Sequence, residues 1–204
     1  MAQRKHKPSI TSKAGPKTRP LLILASSSPR RRALLEEHYY TFEVIVPRDV
    51  EEIAPAHLSP GETVLANARA KARAVVRPTG VVIGVDTEVF FAGRVLGKPA
   101  DMNAAFEMLS RLNGHTHEVY SGVWLVQGEK EHGFIVVTRV HFHRRTATEL
   151  RSYLARIGPL DKAGAYAAQD DHGEMIARVE GSYTNVIGLP MEELEKTLRQ
   201  VWKA

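Results

Sequence analysis

An unbroken apolar run, Leu21-Leu22-Ile23-Leu24-Ala25, passes directly into Ser26-Ser27-Ser28-Pro29-Arg30-Arg31-Arg32. A short continuous apolar run predicts a strand buried on both faces. A serine cap with proline in the first turn predicts that a helix starts immediately after it. Phe42 to Val46 reads as a second strand, and Ser59-Pro60-Gly61-Glu62 as a capping box opening an alanine-rich helix through about Val76. Val81 to Phe91 is an apolar strand interrupted by Asp86, with a turn at Ala92-Gly93-Arg94 and a return through Val95 to Pro99. Asp101 caps a helix that stops at Gly114. Val119 to Val126 and Phe134 to Phe142 read as strands flanking a turn from Gly128 to Gly133.

A second capping box, Thr146 with Glu149, starts a helix that ends at Gly158-Pro159, and Leu160 to Gln169 reads as a loop. Met175 to Val179 is a strand, and Pro190 begins the last helix. Helices and strands alternate without internal repeats. Some neighbours are joined by helical crossovers and others by hairpins, so the expected fold is α/β with a mixed sheet and flanking helices.

Composition narrows the class. The 204 residues suit one sizeable core or two small lobes around a cleft. With 43% hydrophobic and 25% charged residues, and no run of roughly 18 apolar residues, a membrane role has no support. Cysteine is absent, which removes disulfides, thiolate nucleophiles and Cys-based zinc sites, and suits a cytoplasmic setting. The net charge of +5 suggests nucleic acid until its location is examined. Arg4, Lys5, Lys7, Lys13, Lys17 and Arg19 all precede residue 21; without them 22 basic residues face 23 acidic ones. Residues 1–20 therefore read as a disordered basic tail, poor in large apolar residues and without the apolar stretch of a secretory signal. A nucleic-acid tether is the alternative for that tail. The folded domain is expected over 21–204.

Several residues carry candidate chemistry. A strand, a serine-rich turn and a helix N-terminus make an anion site, because unpaired N–H groups and the positive dipole end favour phosphate. Hydroxyls from Ser26 and guanidiniums from Arg30 and Arg31 add donors. Asp86 lies in an apolar strand, where an unpaired acid is costly; a metal, a Lys or Arg, or a wet cleft must stabilise it, and an internal ion pair serves equally well. Lys98, in Gly97-Lys98-Pro99, presents an ammonium at a hairpin exit, and Lys71 lies among alanines on the long helix. Glu52 stands in an unpatterned loop. The segment from Pro159 to Gln169 has the charges, small residues and single aromatic suited to closing over a base, with Gln169 offering a donor and an acceptor. His115, His117, His132, His141 and His143 include no helical i, i+4 pair, so a histidine metal centre is disfavoured. There is no GxxxxGK[ST] loop and no GxSxG elbow.

Taken together, Ser26-x-Ser28-Pro29-Arg30-Arg31, Lys71 in its Ala-Lys-Ala setting, Gly84-x-Asp86-Thr87, Gly97-Lys98-Pro99, Leu160 to Tyr166 and Gly188-Leu189-Pro190 resemble the Maf family. The match is collinear from about Leu21 to Trp202 and leaves out the basic tail. The resemblance implies a nucleoside triphosphate pyrophosphatase with an elongated, ITP-pyrophosphatase-like α/β fold, two lobes around a central cleft, a divalent cation (Mg²⁺ or Mn²⁺) and a homodimer. By position, Asp86 falls on the family's proposed catalytic base, and Ser26, Arg30, Arg31, Glu52, Lys71 and Lys98 on its phosphate- and metal-binding positions. Arg30, Thr87 and Gln169 match the Arg, Thr and Gln of the branch acting on dTTP and UTP; the branch acting on 7-methyl-GTP has Trp, Gln and Glu there.

The chain departs from the family pattern at Val85 and Glu88, where alanine and an aliphatic residue are usual, and at Asp170-Asp171-His172, where glycine is expected. Glu88 adds a second acid on the strand face of Asp86. Two roles stay open for Asp86. An ordinary aspartate, with a pKa of about 3.9, is a weak base at neutral pH; the other role is a metal ligand, alongside Glu52, that orients hydroxide. Two alternative functions follow from the same resemblance: a pyrophosphatase for modified purine triphosphates, and a nucleotide-binding regulator of cell division that binds without turnover.

Overall fold

The computed structural model describes residues 21–201 apart from 56, 76 and 78. The expected tail at 1–20 lies outside the described residues. In chain order the elements are β1 (Leu22–Ala25), α1 (Pro29–Glu37), β2 (Phe42–Val44), α2 (Pro60–Arg73), β3 (Val81–Phe91), β4 (Arg94–Leu96), α3 (Met102–Leu112), β5 (Thr116–Gln127), β6 (Lys130–Phe142), α4 (Ala147–Ile157), β7 (Ile176–Glu180), α5 (Tyr183–Ile187) and α6 (Met191–Val201).

One mixed sheet runs β2-β1-β3-β5-β6-β7, with β4 also paired to β3. β1 is parallel to β2 and β3, while β3, β5, β6 and β7 pair antiparallel in sequence. The long strand β3 organises the rest. β5 covers one of its edges from Val82 to Phe90. The other edge is shared: β1 pairs it only as far as Gly84, and β4 begins at Val89. Val85 to Glu88 are therefore left with a bare edge, and a strand without a neighbour there leaves both backbone groups and space to be used.

Two apolar cores lie on either side of that gap. Leu22, Leu24, Leu34, Leu35, Ile83, Leu194 and Leu198 form one. Val89, Leu109, Leu112, Leu150, Tyr153, Leu154 and Met175 form the other. The two-lobed arrangement around a cleft thus follows from a strand whose ends are apolar and whose middle is not.

Helix α2 approaches the sheet closely. A Cβ on Gly84 would lie 2.1 Å from the Ala68 carbonyl oxygen, and one on Gly122 2.4 Å from that of Val64. Backbone meets backbone at these two positions, which brings the polar residues of α2 alongside β3. The capping box at Ser59 and Glu62 forms as expected, as does that at Thr146 and Glu149. Asp101 caps α3 through its side chain.

Some boundaries differ from expectation. α2 ends at Arg73 rather than near Val76, and β2 stops at Val44. The turn between β5 and β6 is confined to residues 128–129, because Gly133 is a strand residue opposite Trp124. A Cβ there would lie 2.2 Å from the indole ring, so this glycine makes room for a side chain. Ser28 occupies the N-cap of α1 without a side-chain cap bond; its own N–H donates to Ser26 Oγ at 3.2 Å. The segment after Gly158 folds into three short 3₁₀ turns, Pro159–Asp161, Ala163–Ala165 and Ala168–Asp170.

Candidate active site

A cleft of about 490 Å³ opens at the bare edge of β3. Ser26 to Arg31 from the β1–α1 junction line it, with Glu52, Lys71, Asp86 to Val89, Gly97, Lys98, Asp161 to Ala163, Tyr166 and Val186 to Gly188. Sequence-distant motifs meet here because β3 passes between both lobes and the flanking loops close over its exposed edge.

Asp86 is the centre of a compact polar cluster. It is 5% exposed, and Lys71 Nζ donates to its Oδ1 at 2.6 Å. The same ammonium lies 2.6 Å from Glu52 Oε1. Asn67 Nδ2 donates to Asp86 Oδ2 at 3.1 Å. Asn67 escaped the sequence reading; its only advance signal is an asparagine in a helix interior, four residues before Lys71, where its helix propensity gives no reason for it. Glu88, two residues along the same face of β3, lines the cleft with one buried oxygen, Oε2, that lacks a partner. Burial pushes its carboxyl up to about 7, with repulsion from Asp86 and Glu52 adding to the effect and Lys71 opposing it.

The arginines have different tasks. Arg31 Nε donates to the Gly188 carbonyl at 2.9 Å, Nη1 to Ser26 Oγ at 2.9 Å and to the Val85 carbonyl at 3.1 Å, and Nη2 to Thr87 Oγ1 at 3.2 Å. It fills the unpaired edge of β3 and ties that strand to the β1–α1 turn and to the turn at Gly188. Burial lowers its pKa to about 10, against the attraction of Asp86. Arg30 instead reaches across the cleft, donating to Asp161 Oδ2 at 2.8 Å and the Asp161 carbonyl at 3.2 Å. Lys162 Nζ holds the other oxygen of Asp161 at 2.6 Å.

Thr87 Oγ1 is engaged by Arg31, by Ser121 Oγ at 2.8 Å and by the Gly188 carbonyl at 3.2 Å. Lys98 is exposed at the cleft and, among the described residues, forms no hydrogen bond or ion pair. Gln169 is exposed on the Ala168–Asp170 turn and is not among the lining residues. The departure that follows it is structural: Asp171, 2% exposed, accepts from the N–H groups of Met175 and Ile176 at 3.0 and 2.9 Å and so fixes the entry to β7. His117 is also structural. It is 2% exposed, its Nε2 lies 2.9 Å from the Tyr166 hydroxyl, and burial lowers its pKa to about 3.

The donor set for a metal is all oxygen. Asp86, Glu52 and Glu88 all line the cleft, and carboxylates are the hard donors that Mg²⁺ and Mn²⁺ take. Among the described residues no three His, Asp or Glu side chains already stand in a metal-holding arrangement. Mg²⁺ characteristically binds through one or two carboxylates with water and substrate phosphates completing its shell, and the cluster fits that pattern.

Residues 21–201 match the family described as Maf-like protein. The chain is 43% identical over 183 residues to the dTTP/UTP pyrophosphatase of Carboxydothermus hydrogenoformans, covering 88% of this chain and 97% of that protein. It is 46% identical over 182 residues to the dTTP/UTP pyrophosphatase of Akkermansia muciniphila, covering 88% and 95%. Among solved structures it is similar to the Ham1 protein of Staphylococcus aureus, at 15% identity, a TM-score of 0.49, and coverage of 88% of this chain and 98% of that one. Among the described residues, no helix is long and apolar enough to cross a membrane.

Proposed function

The chain belongs to the Maf family, and from that premise we propose that it hydrolyses nucleoside triphosphates, dTTP and UTP foremost, to the monophosphate and pyrophosphate. The observation that carries the proposal is the buried Lys71–Asp86 pair at the floor of a cleft whose rim supplies Ser26, Arg30 and Lys98. The oxygen of water forms a bond to the α-phosphorus, the bond from that phosphorus to the α–β bridging oxygen breaks, and pyrophosphate leaves with that oxygen.

Catalysis of this kind depends on positioning and charge stabilisation. The N-terminus of α1 and the Ser26–Ser28 turn face the cleft as an anion cradle. Lys98, unpaired at the cleft, is available to the triphosphate, and Arg30 becomes available once it leaves Asp161. Arg31 holds the walls of the cradle in register. Glu52 and Asp86 would hold a divalent cation, Mg²⁺ or Mn²⁺, which supplies charge neutralisation at the phosphates when bound. Lys71 bridges the two carboxylates, 2.6 Å from an oxygen of each, and Asp86 orients the attacking water.

The pyrimidine preference is supported by the names of the relatives and by Arg30, Thr87 and Gln169. Thr87 contributes through Gly188 and Arg31, which shape the inner wall. Gln169 joins in only if the Ala168–Asp170 turn moves toward the cleft when nucleotide binds. The absence of cysteine supports a cytoplasmic setting. Pyrophosphate release measured across dTTP, UTP, CTP, ATP, GTP and 7-methyl-GTP tests the substrate class: selectivity for dTTP and UTP is expected, and a preference for a purine overturns the pyrimidine reading.

A further inference from the structure

Between the end of β2 and the start of α2, the described residues of the segment carrying Glu52 form no helix or strand. Among the described residues, the backbone of 46–54 is tied to the rest of the fold by hydrogen bonds at one residue, Ile53. Both of its backbone groups are taken by a single side chain. Asn67 Oδ1 accepts from Ile53 N–H at 2.9 Å, and Asn67 Nδ2 donates to the Ile53 carbonyl at 3.0 Å. The second hydrogen of Nδ2 goes to Asp86 Oδ2. The amide is 1% exposed and acts as a peptide would in a strand pair, docking the segment while holding one oxygen of Asp86.

The Lys71–Glu52 ion pair does not replace this clamp. The Glu52 side chain is 59% exposed, and ion pairs with a solvated partner contribute little after side-chain ordering and screening. Burial distinguishes the two contacts: the Asn67 amide is buried where the Glu52 carboxylate is solvated, its bond to Asp86 is buried and its bonds to Ile53 are part-buried, and its loss leaves Asp86 Oδ2 unmatched.

We propose that Asn67 is a positioning residue of the active site, docking the Glu52 segment so that Glu52 and Asp86 face one another across Lys71. The inference rests on the pyrophosphatase reading for its effect on turnover, but its structural half does not. Arg48 lies in the segment and offers a trypsin site. In the full chain, Asn67→Ala is expected to speed tryptic cleavage after Arg48 by about tenfold; an unchanged rate overturns the docking role.

Turnover of dTTP with Mg²⁺ supplies the second readout, as a cycle of Asn67→Ala and Glu52→Gln. Asn67→Ala lowers kcat by about tenfold or more in the otherwise natural chain and by less than threefold in the Glu52→Gln background. An equal loss in both backgrounds assigns Asn67 a merely structural role and overturns the proposal. Should Asn67→Ala lack a cooperative thermal transition, Asn67→Ser is read by the same criteria. A natural chain that releases no pyrophosphate defeats the functional reading instead, and the cleavage experiment still decides whether Asn67 docks the segment.

Discussion

The ammonium of Lys71 lies 2.6 Å from Asp86 Oδ1, with the two side chains 13% and 7% exposed. A pair this buried is held by mutual need, because removing one partner strands the other charge in a medium that solvates it poorly. Lys71→Met is therefore expected to destabilise the fold by roughly 3–5 kcal/mol, the cost typical of breaking a buried pair. Adding Asp86→Asn removes the stranded charge and recovers a large part of the loss. Urea unfolding of the two single variants and the double variant checks this, and additive losses contradict it.

Arg30 spans the cleft to Asp161, whose side chain is 54% exposed. A solvated bridge of this kind is worth about 0–1 kcal/mol, so Asp161→Asn should leave stability nearly unchanged. Its effect falls on binding. With Arg30 released to the phosphates, KM for dTTP is expected to fall about two- to tenfold, a change of roughly 0.4–1.4 kcal/mol, at similar kcat. Steady-state kinetics at fixed ionic strength measures it, and a raised KM contradicts the exchange of partners.

His117 is kept neutral by burial, with a folded pKa of about 3 against an ordinary 6.5. Between those values the unfolded chain binds a proton that the folded one does not, so stability falls as pH drops from about 6.5 toward 3. The slope from this group approaches about 1.4 kcal/mol per pH unit. Replacing it with glutamine, which does not titrate, is expected to flatten the decline between pH 6.5 and pH 4.5 in urea melts; an unchanged slope contradicts the assignment.

Glu88 shifts the other way. Its proton is retained up to about pH 7 in the fold and released near 4.5 in the unfolded chain, so its contribution to stability is lost as pH rises through 7. Glu88→Gln should raise Tm more at pH 8 than at pH 5 in chelator-treated protein. An equal change at both values removes Glu88 from the acid cluster.

Much of this was legible in the sequence because it is local. β3 was delimited from Val81 to Phe91 by its apolar run, and both capping boxes were read from residues three apart. The resemblance brought Ser26, Arg30, Arg31, Glu52, Lys71, Asp86, Thr87 and Lys98 to one place, and all eight line the cleft. What sequence did not reveal is how these residues are partnered. Separations of 131 positions from Arg30 to Asp161, and of 157 from Arg31 to Gly188, leave no periodic trace. Asn67 was missed for the same reason, since nothing local marks its reach to Ile53 and Asp86. The short helix α5 escaped because five residues are too few to show a period.

The central claim is tested most directly by pyrophosphate release from dTTP with Mg²⁺ or Mn²⁺, comparing the natural chain with Asp86→Asn. The account predicts stoichiometric pyrophosphate and monophosphate from the natural chain, and a loss of at least about 100-fold in the variant, roughly 2.7 kcal/mol of transition-state stabilisation. Near-natural release by Asp86→Asn, or nucleotide binding by the natural chain without any turnover, contradicts it.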